Sequence, residues 1–178
     1  MSLSAADLPW RPNVGAVIFN RQGLVFIARR TDMPGAGGPL NEGVWQCPQG
    51  GMDEGETPET AVLREVQEET GMEQIRILGS CDEWMKYDLP PELIGKALGG
   101  RWRGQTQKWF AVLFEGKDDS IRLDLQKPAE FDAWRWVPIE ALSECKVGFK
   151  KPIYERLPAE FERFVAMART ESTSDPEN

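Results

Sequence analysis

Residues 50–72 read GGMDEGETPETAVLREVQEETGM, and the rest of the chain is organised around them. The stretch is a turn, a helix and a second turn. Gly50 and Gly51 follow Pro48, so the backbone can bend sharply there. Thr57 is suited to cap a helix N-terminus, and Pro58 to fill its first position, where the missing N–H costs nothing. Gly71 is the natural stop. Between them Val62, Leu63 and Val66 form an apolar stripe that can pack on a core. Glu65, Glu68 and Glu69 lie off that stripe at i, i+3 and i+4, which stacks three carboxylates on one helical patch. Like charges so placed repel one another. They sit either on a solvated acidic face or around a cation. Mg2+ takes oxygen ligands and is commonly shared with substrate phosphates, so the stretch is a candidate platform for phosphoryl chemistry. On three glutamates alone the solvated face is the plainer reading.

The spacing of the whole stretch reverses that preference. It runs Gly50, five residues, Glu56, seven residues, Arg64-Glu65-Val66, one residue, Glu68-Glu69, one residue, Gly71-Met72. This resembles the Nudix box at every defined position. Seven of those positions call for one residue type, so chance matches come at on the order of one in ten million per starting point. The resemblance implies an α/β fold, an α/β/α sandwich with a mixed β-sheet between helices. It implies a hydrolase that cleaves a nucleoside diphosphate linked to another group. It also implies roles for residues: Glu65, Glu68 and Glu69 as catalytic groups and metal ligands, with Gly50 beside them at the metal. Arg64 joins that set as the partner of Glu56, the two bracing the loop–helix–loop that Gly71 closes.

Composition narrows the chemistry. At 178 residues, 40% hydrophobic and with seven tryptophans, the chain suits a single domain with a proper core. Its body is expected at about residues 10–168, with 1–9 and 170–178 as flexible ends. A net charge of −8 argues against broad binding along nucleic acid, and so against a DNA duplex as partner. It leaves room for gripping one phosphorylated end through a local basic cluster and metal ions. Cys47, Cys81 and Cys145 are odd in number and widely spaced, which fits neither a disulfide framework nor a zinc site. There is no histidine, so His-based triads, general bases and metal ligands are excluded. No signal peptide or membrane-length apolar run is visible, and a reducing cytoplasm is the expected setting. Oligomeric state is not legible.

Along the chain, residues 14–19 and 24–28 read as strands joined by a hairpin turn at Asn20-Arg21-Gln22-Gly23. Residues 32–43, rich in Gly and Pro, read as a loop, and 45–49 as a short strand. Residues 74–87 are strand-like, and 89–103 form a second loop region with a short helix around 92–98. Residues 107–115 read as a strand, 117–130 as a loop with an extended segment, and 134–137 as a short strand. A helical turn opens at Pro138. Residues 149–168 are largely helical, with Pro158 as a kink or a fresh start. Trp45, Trp109, Trp134 and Trp136 are expected in the core.

Stretches outside the box carry a narrower resemblance. Trp10-Arg11-Pro12-Asn13-Val14-Gly15, Trp45-Gln46-Cys47-Pro48-Gln49-Gly50-Gly51, Gln107-Lys108-Trp109-Phe110 and Glu130-Phe131-Asp132-Ala133-Trp134-Arg135-Trp136-Val137 look like one Nudix branch. It comprises the bacterial RNA pyrophosphohydrolases and the asymmetric dinucleoside tetraphosphate hydrolases of bacteria and plants. The likeness runs from about residue 11 to 164. There are departures: a longer Gly/Pro loop at 32–43, Pro152 and Pro158 in the last helix, and Gly148 where a Ser would precede Phe-Lys. The resemblance makes Glu130 a further metal-coordinating carboxylate, where a lone loop glutamate would otherwise be surface decoration. Arg11 and Arg30 become phosphate ligands, since Arg–phosphate contacts are strong. Phe149 beside Lys150 reads as a ring for the base next to a cation for phosphate, in what looks like an exposed basic setting. Tyr87 is a second candidate for stacking.

The implied mechanism is hydrolysis of a phosphoanhydride with two or more Mg2+ or Mn2+ ions, which neutralise the polyphosphate and acidify a bound water. A glutamate of the cluster, Glu69 or Glu65, takes the water's proton. Two substrates compete: the 5′-triphosphate end of RNA, cut to a monophosphate, and diadenosine tetraphosphate, cut to ATP and AMP. The alternatives are a house-cleaning nucleoside triphosphate pyrophosphatase and a catalytically inactive nucleotide-binding module. The second would be expected to have lost a box glutamate, and all three are present.

Overall fold

The computed structural model describes residues 4–31 and 43–171. Its strands are Trp10–Phe19 (β1), Val25–Arg30 (β2), Trp45–Gln46 (β3), Gln49–Gly51 (β4), Ile75–Ser80 (β5), Met85–Asp88 (β6), Gly104–Phe114 (β7) and Phe131–Val137 (β8). Its α-helices are Pro58–Thr70 (α1), Lys151–Phe161 (α2) and Arg163–Glu171 (α3). All eight strands belong to one sheet, ordered β3-β2-β1-β7-β5, with β4 and β8 added to β1 and β2 and β6 added to β7. β1 and β7 run parallel from Trp10↔Gly104 to Phe19↔Leu113, while the other pairings are antiparallel. The sheet is therefore mixed.

Alternation along the two central strands gives the sheet two buried faces. Val14, Ala16 and Ile18 of β1 and Phe110, Val112 and Phe114 of β7 pack with Ala61, Val62 and Val66 of α1. Val17, Phe19, Trp109, Ala111 and Leu113 face the other way, onto Ile153, Leu157 and Phe161 of α2 and Phe164 and Ala168 of α3. The result is the expected α/β/α sandwich. Each fully buried Val of the α1 stripe stabilises it by roughly 1.5–3 kcal/mol. The β1–β2 turn forms as read: Asn20 Oδ1 accepts from the N–H groups of Gln22 and Leu24, and Gly23 supplies φ 78°.

Several local expectations are corrected. The 45–49 strand is two short strands separated at Cys47-Pro48, and 74–87 is β5 and β6 with a corner between them. The expected helix near 92–98 is two 3-10 turns, Pro91–Leu93 and Ala97–Gly100. Residues 117–130 contain the 3-10 turn Asp118–Ser120 and no strand. Pro158 lies inside α2, and the break falls later, at Glu162, between α2 and α3. Trp109 is fully buried, whereas Trp45, Trp134 and Trp136 are half-buried. Of the ends expected to be loose, Ala5–Asp7 form a 3-10 turn and α3 reaches Glu171. The loop at 32–43 lies outside the described residues apart from Gly43, as do 1–3 and 172–178. No helix among the described residues is long and apolar enough to cross a membrane.

Candidate active site

α1 begins where the sequence says it should. Thr57 is extended (φ −76°, ψ 154°) and its hydroxyl accepts from Thr60 N–H at 3.2 Å, with Pro58 next in line. The helix ends at Gly71 in the left-handed conformation (φ 71°), its N–H donating to Gln67 O. β4 pairs with β1 through Val14↔Gly50 and Gly15↔Gln49, which ties the turn before the helix to the sheet.

Arg64 holds this assembly together. Its Nε and Nη2 donate to both oxygens of Glu56, at 2.7 and 2.9 Å, a bidentate pair. Nη2 also donates to Gly51 O at 3.0 Å, and Nη1 to Glu65 at 2.8 Å and Glu68 at 3.2 Å. Glu56 in turn accepts from Asp53 N–H at 2.9 Å, so loop and helix are joined through one guanidinium. The Arg64 bond pulls the Glu56 carboxyl down to about 2. Gly50 is pressed against the cluster, since a Cβ there would stand 2.0 Å from the Glu65 carboxyl carbon.

The three box glutamates differ in setting. Glu69 is 6% exposed and its Oε2 is buried without a hydrogen-bond partner. Burial, followed by the charges of Glu65 and Glu130, pushes its carboxyl well above the ordinary range. Burial also raises Glu65, against the pull of Arg64. Glu68 is more open, and its Oε2 accepts from Gln126 at 3.3 Å as well as from Arg64. An orphaned buried oxygen among carboxyls suits a hard cation, and the donor set is all oxygen. Among the described residues no three acidic, Cys or His side chains are already gathered as ligands; Arg64 holds Glu65 and Glu68 instead.

One cleft of about 580 Å³ brings the predicted residues together. Gly50 and the carboxylates Glu65, Glu68, Glu69 and Glu130 line it together with the cations Arg11, Arg30 and Lys150 and the rings of Tyr87 and Phe149. Arg11 comes from the start of β1, its Nη2 2.3 Å from where a Cβ on Gly51 would stand. A register shift between Arg29 and Arg30 in the β2–β8 pairing marks where Arg30 enters. Glu130 is delivered beside it, its carbonyl accepting from Thr31 N–H at 3.0 Å.

Two settings differ from expectation. Lys150 is not exposed: the 3-10 turn Gly148–Lys150, with Gly148 at φ 63°, leaves it 6% exposed. Tyr87 is 7% exposed, its hydroxyl bonded to Gln105 and its ring 5.2 Å from that of Phe149. Burial raises the Tyr87 phenol, with Arg11 and Arg30 pulling the other way. Phe149, at 37% exposed, is the open aromatic face of that pair. Asn13, Gln105 and Gln126 also line the cleft and were not singled out from sequence. The available signal was Gln at 105 and 107, alternate positions that share a sheet face with the buried Trp109.

Residues 9–157 match the family described as the NUDIX domain. The chain belongs to that family and is a Nudix hydrolase, a class that generally uses divalent metal ions such as Mg2+. It is 61% identical over 160 residues to the RNA pyrophosphohydrolase of Gluconacetobacter diazotrophicus, covering 90% of this chain and 96% of that one. It is 58% identical over 163 residues to the RNA pyrophosphohydrolase of Gluconobacter oxydans, covering 91% and 92%. In fold it is similar to a C. elegans Ap4A hydrolase, with a TM-score of 0.59 at 20% identity, over 88% of this chain and 98% of that one. The E. coli dihydroneopterin triphosphate pyrophosphohydrolase gives the same TM-score at 22% identity, over 83% and 96%.

Proposed function

We propose that this chain hydrolyses the 5′-triphosphate end of RNA, releasing pyrophosphate and leaving a 5′-monophosphate, in the cytosol. The observation that carries this reading is the meeting, in one cleft, of the box carboxylates with Arg11, Arg30 and Lys150 and the open ring of Phe149. The identity to RNA pyrophosphohydrolases over nine-tenths of the chain supports RNA over a dinucleotide. Glu65, Glu68, Glu69 and Glu130, with Gly50, would hold two or more Mg2+ or Mn2+ ions. The ions supply neutralisation of polyphosphate charge and acidification of water. Glu69, with one buried oxygen free of partners, accepts the proton of the attacking water. Arg11, Arg30 and Lys150 take up charge on the bridging and departing phosphates. Phe149 stacks on the first base, and Tyr87 supports that ring from behind. Arg64 and Glu56 keep the turn and helix in register. The test is product analysis: RNA with a 5′-triphosphate, incubated with Mg2+, should become a substrate for a 5′-monophosphate-dependent exonuclease. An unchanged 5′-triphosphate, alongside turnover of free nucleoside triphosphates, would overturn the reading.

A further inference from the structure

Behind the cleft floor lies a chain of buried amides whose orientation is fixed by a residue that never reaches the cleft. It starts at Trp109, which is fully buried. Its ring lies against β1 opposite Gly15, where a Cβ would stand 2.6–2.7 Å from three ring atoms. Tyr154 meets that ring edge-on at 5.7 Å and 86°. Packing therefore sets the direction of the indole N–H. That N–H can only donate, and it donates to Gln107 Oε1 at 3.0 Å. The acceptor end of the Gln107 amide is thereby assigned without appeal to its appearance.

The amine of Gln107 must then point the other way. Its two hydrogens are shared among three acceptors, Asn13 Oδ1 at 3.1 Å, Gln105 Oε1 at 3.2 Å and Gln49 Oε1 at 3.4 Å. Gln105 Oε1 also accepts from the Tyr87 hydroxyl. In each of these three amides the carbonyl faces Gln107, so the amine is turned away from it. Asn13, Gln49 and Gln105 all line the cleft, whereas Gln107 and Trp109 do not. Gln107 is fully buried, and Asn13 and Gln105 are 2% and 4% exposed, so flipping Gln107 would set its carbonyl against their carbonyls and its amine against the indole N–H, while flipping Asn13 or Gln105 would set amine against amine.

We propose that Trp109 and Gln107 are positioning residues that polarise the cleft floor, holding the amides of Asn13, Gln49 and Gln105 with their donor ends toward the polyphosphate. The floor then offers neutral N–H groups to phosphate oxygens in the same cleft as the carboxylates and the cations. Such donors bind an oxyanion without repelling the metal that accompanies it, which a further arginine would do. The inference rests on the polyphosphate reading of the site above.

The test uses inorganic tripolyphosphate in the absence of divalent metal, with affinity measured calorimetrically. Gln107→Met keeps the volume and removes both ends of the amide. Its affinity for tripolyphosphate should fall by about tenfold or more, the weight of one hydrogen bond to a charged partner. On triphosphorylated RNA the same variant should raise KM by a similar factor and change kcat by less than about threefold, as loss of uniform binding requires. Trp109→Phe keeps an aromatic ring in the core and removes the N–H together with part of the indole's bulk; in the folded variant affinity should shift in the same direction by less. Unchanged tripolyphosphate affinity in a folded Gln107→Met protein would overturn the proposal. Should that variant not fold, unchanged affinity in Trp109→Phe would overturn it equally. If the wild-type protein binds tripolyphosphate but does not convert RNA 5′ ends, the substrate reading fails and the donor floor stands.

Discussion

At the scale of single residues, the site separates groups that hold structure from groups kept at a cost to it. Glu56 and Glu69 are both carboxylates, yet Arg64 holds the first low while burial pushes the second high. Glu69 carries a buried oxygen with no partner, which a fold optimised for stability would not keep. Glu69→Gln should therefore lower kcat by roughly 10²–10⁴, the range for removing a positioned proton acceptor. The melting temperature of the metal-free variant should equal or exceed that of the wild type, because a buried charge has been removed. A stable variant with near-normal kcat would move the reacting centre away from Glu69. That Glu65, Glu68 and Glu69 share a patch was legible from i, i+3, i+4 spacing. Which of them is buried was not, because burial depends on Gln49 and Gly50 of β4 being laid against the helix by pairing with β1.

At the scale of elements, loop and helix are joined through Arg64, and that junction has a pH signature. The Glu56 carboxyl lies near 2 in the fold against about 4.5 ordinarily. A carboxyl lowered on folding stabilises the protein above its unfolded value and loses that contribution as pH falls toward its folded one. The wild type should lose stability progressively between about pH 4.5 and pH 2 through this pair, and Glu56→Gln should lose less across the same interval. Arg64→Ala should lower the melting temperature by several degrees at neutral pH and lower the rate as well. Parallel melting curves for wild type and Glu56→Gln across that interval would show that the pair does not brace the element. The capped helix was readable because Thr57, Pro58 and Gly71 are local signals. The polar beginnings of β1 and β7 were not, since Arg11, Asn13 and Gln105 enter strands through their parallel register rather than through propensity. Lys150 was misread for a similar reason: its sequence neighbours are polar, but the turn at Gly148 directs it inward.

At the scale of the molecule, a chain with a net charge of −8 must act on a polyanion. In the proposed reading the architecture reconciles the two by concentrating cations in the cleft that takes the phosphates. Arg11, Arg30 and Lys150 arrive from β1, from β2 and from the turn before α2, and meet in one cleft. A predominantly acidic exterior then repels the rest of an RNA chain, so only its end should be held. This gives a quantitative expectation. Binding that neutralises Z phosphates on a single strand changes log K with log salt by about −0.7Z. Three basic side chains therefore give a slope of roughly −2 for triphosphorylated RNA under constant free Mg2+. Since the contacts end near the first bases, lengthening the RNA from about three to about thirty nucleotides should leave KM within roughly threefold, because distant phosphates displace no counterions. The measurement is KM across a salt series for both lengths. A slope much steeper than −2 that grows with length would reveal a second RNA-binding surface outside the cleft. A slope near zero would show that the metal-holding carboxylates, rather than Arg11, Arg30 and Lys150, dominate capture of the 5′ end.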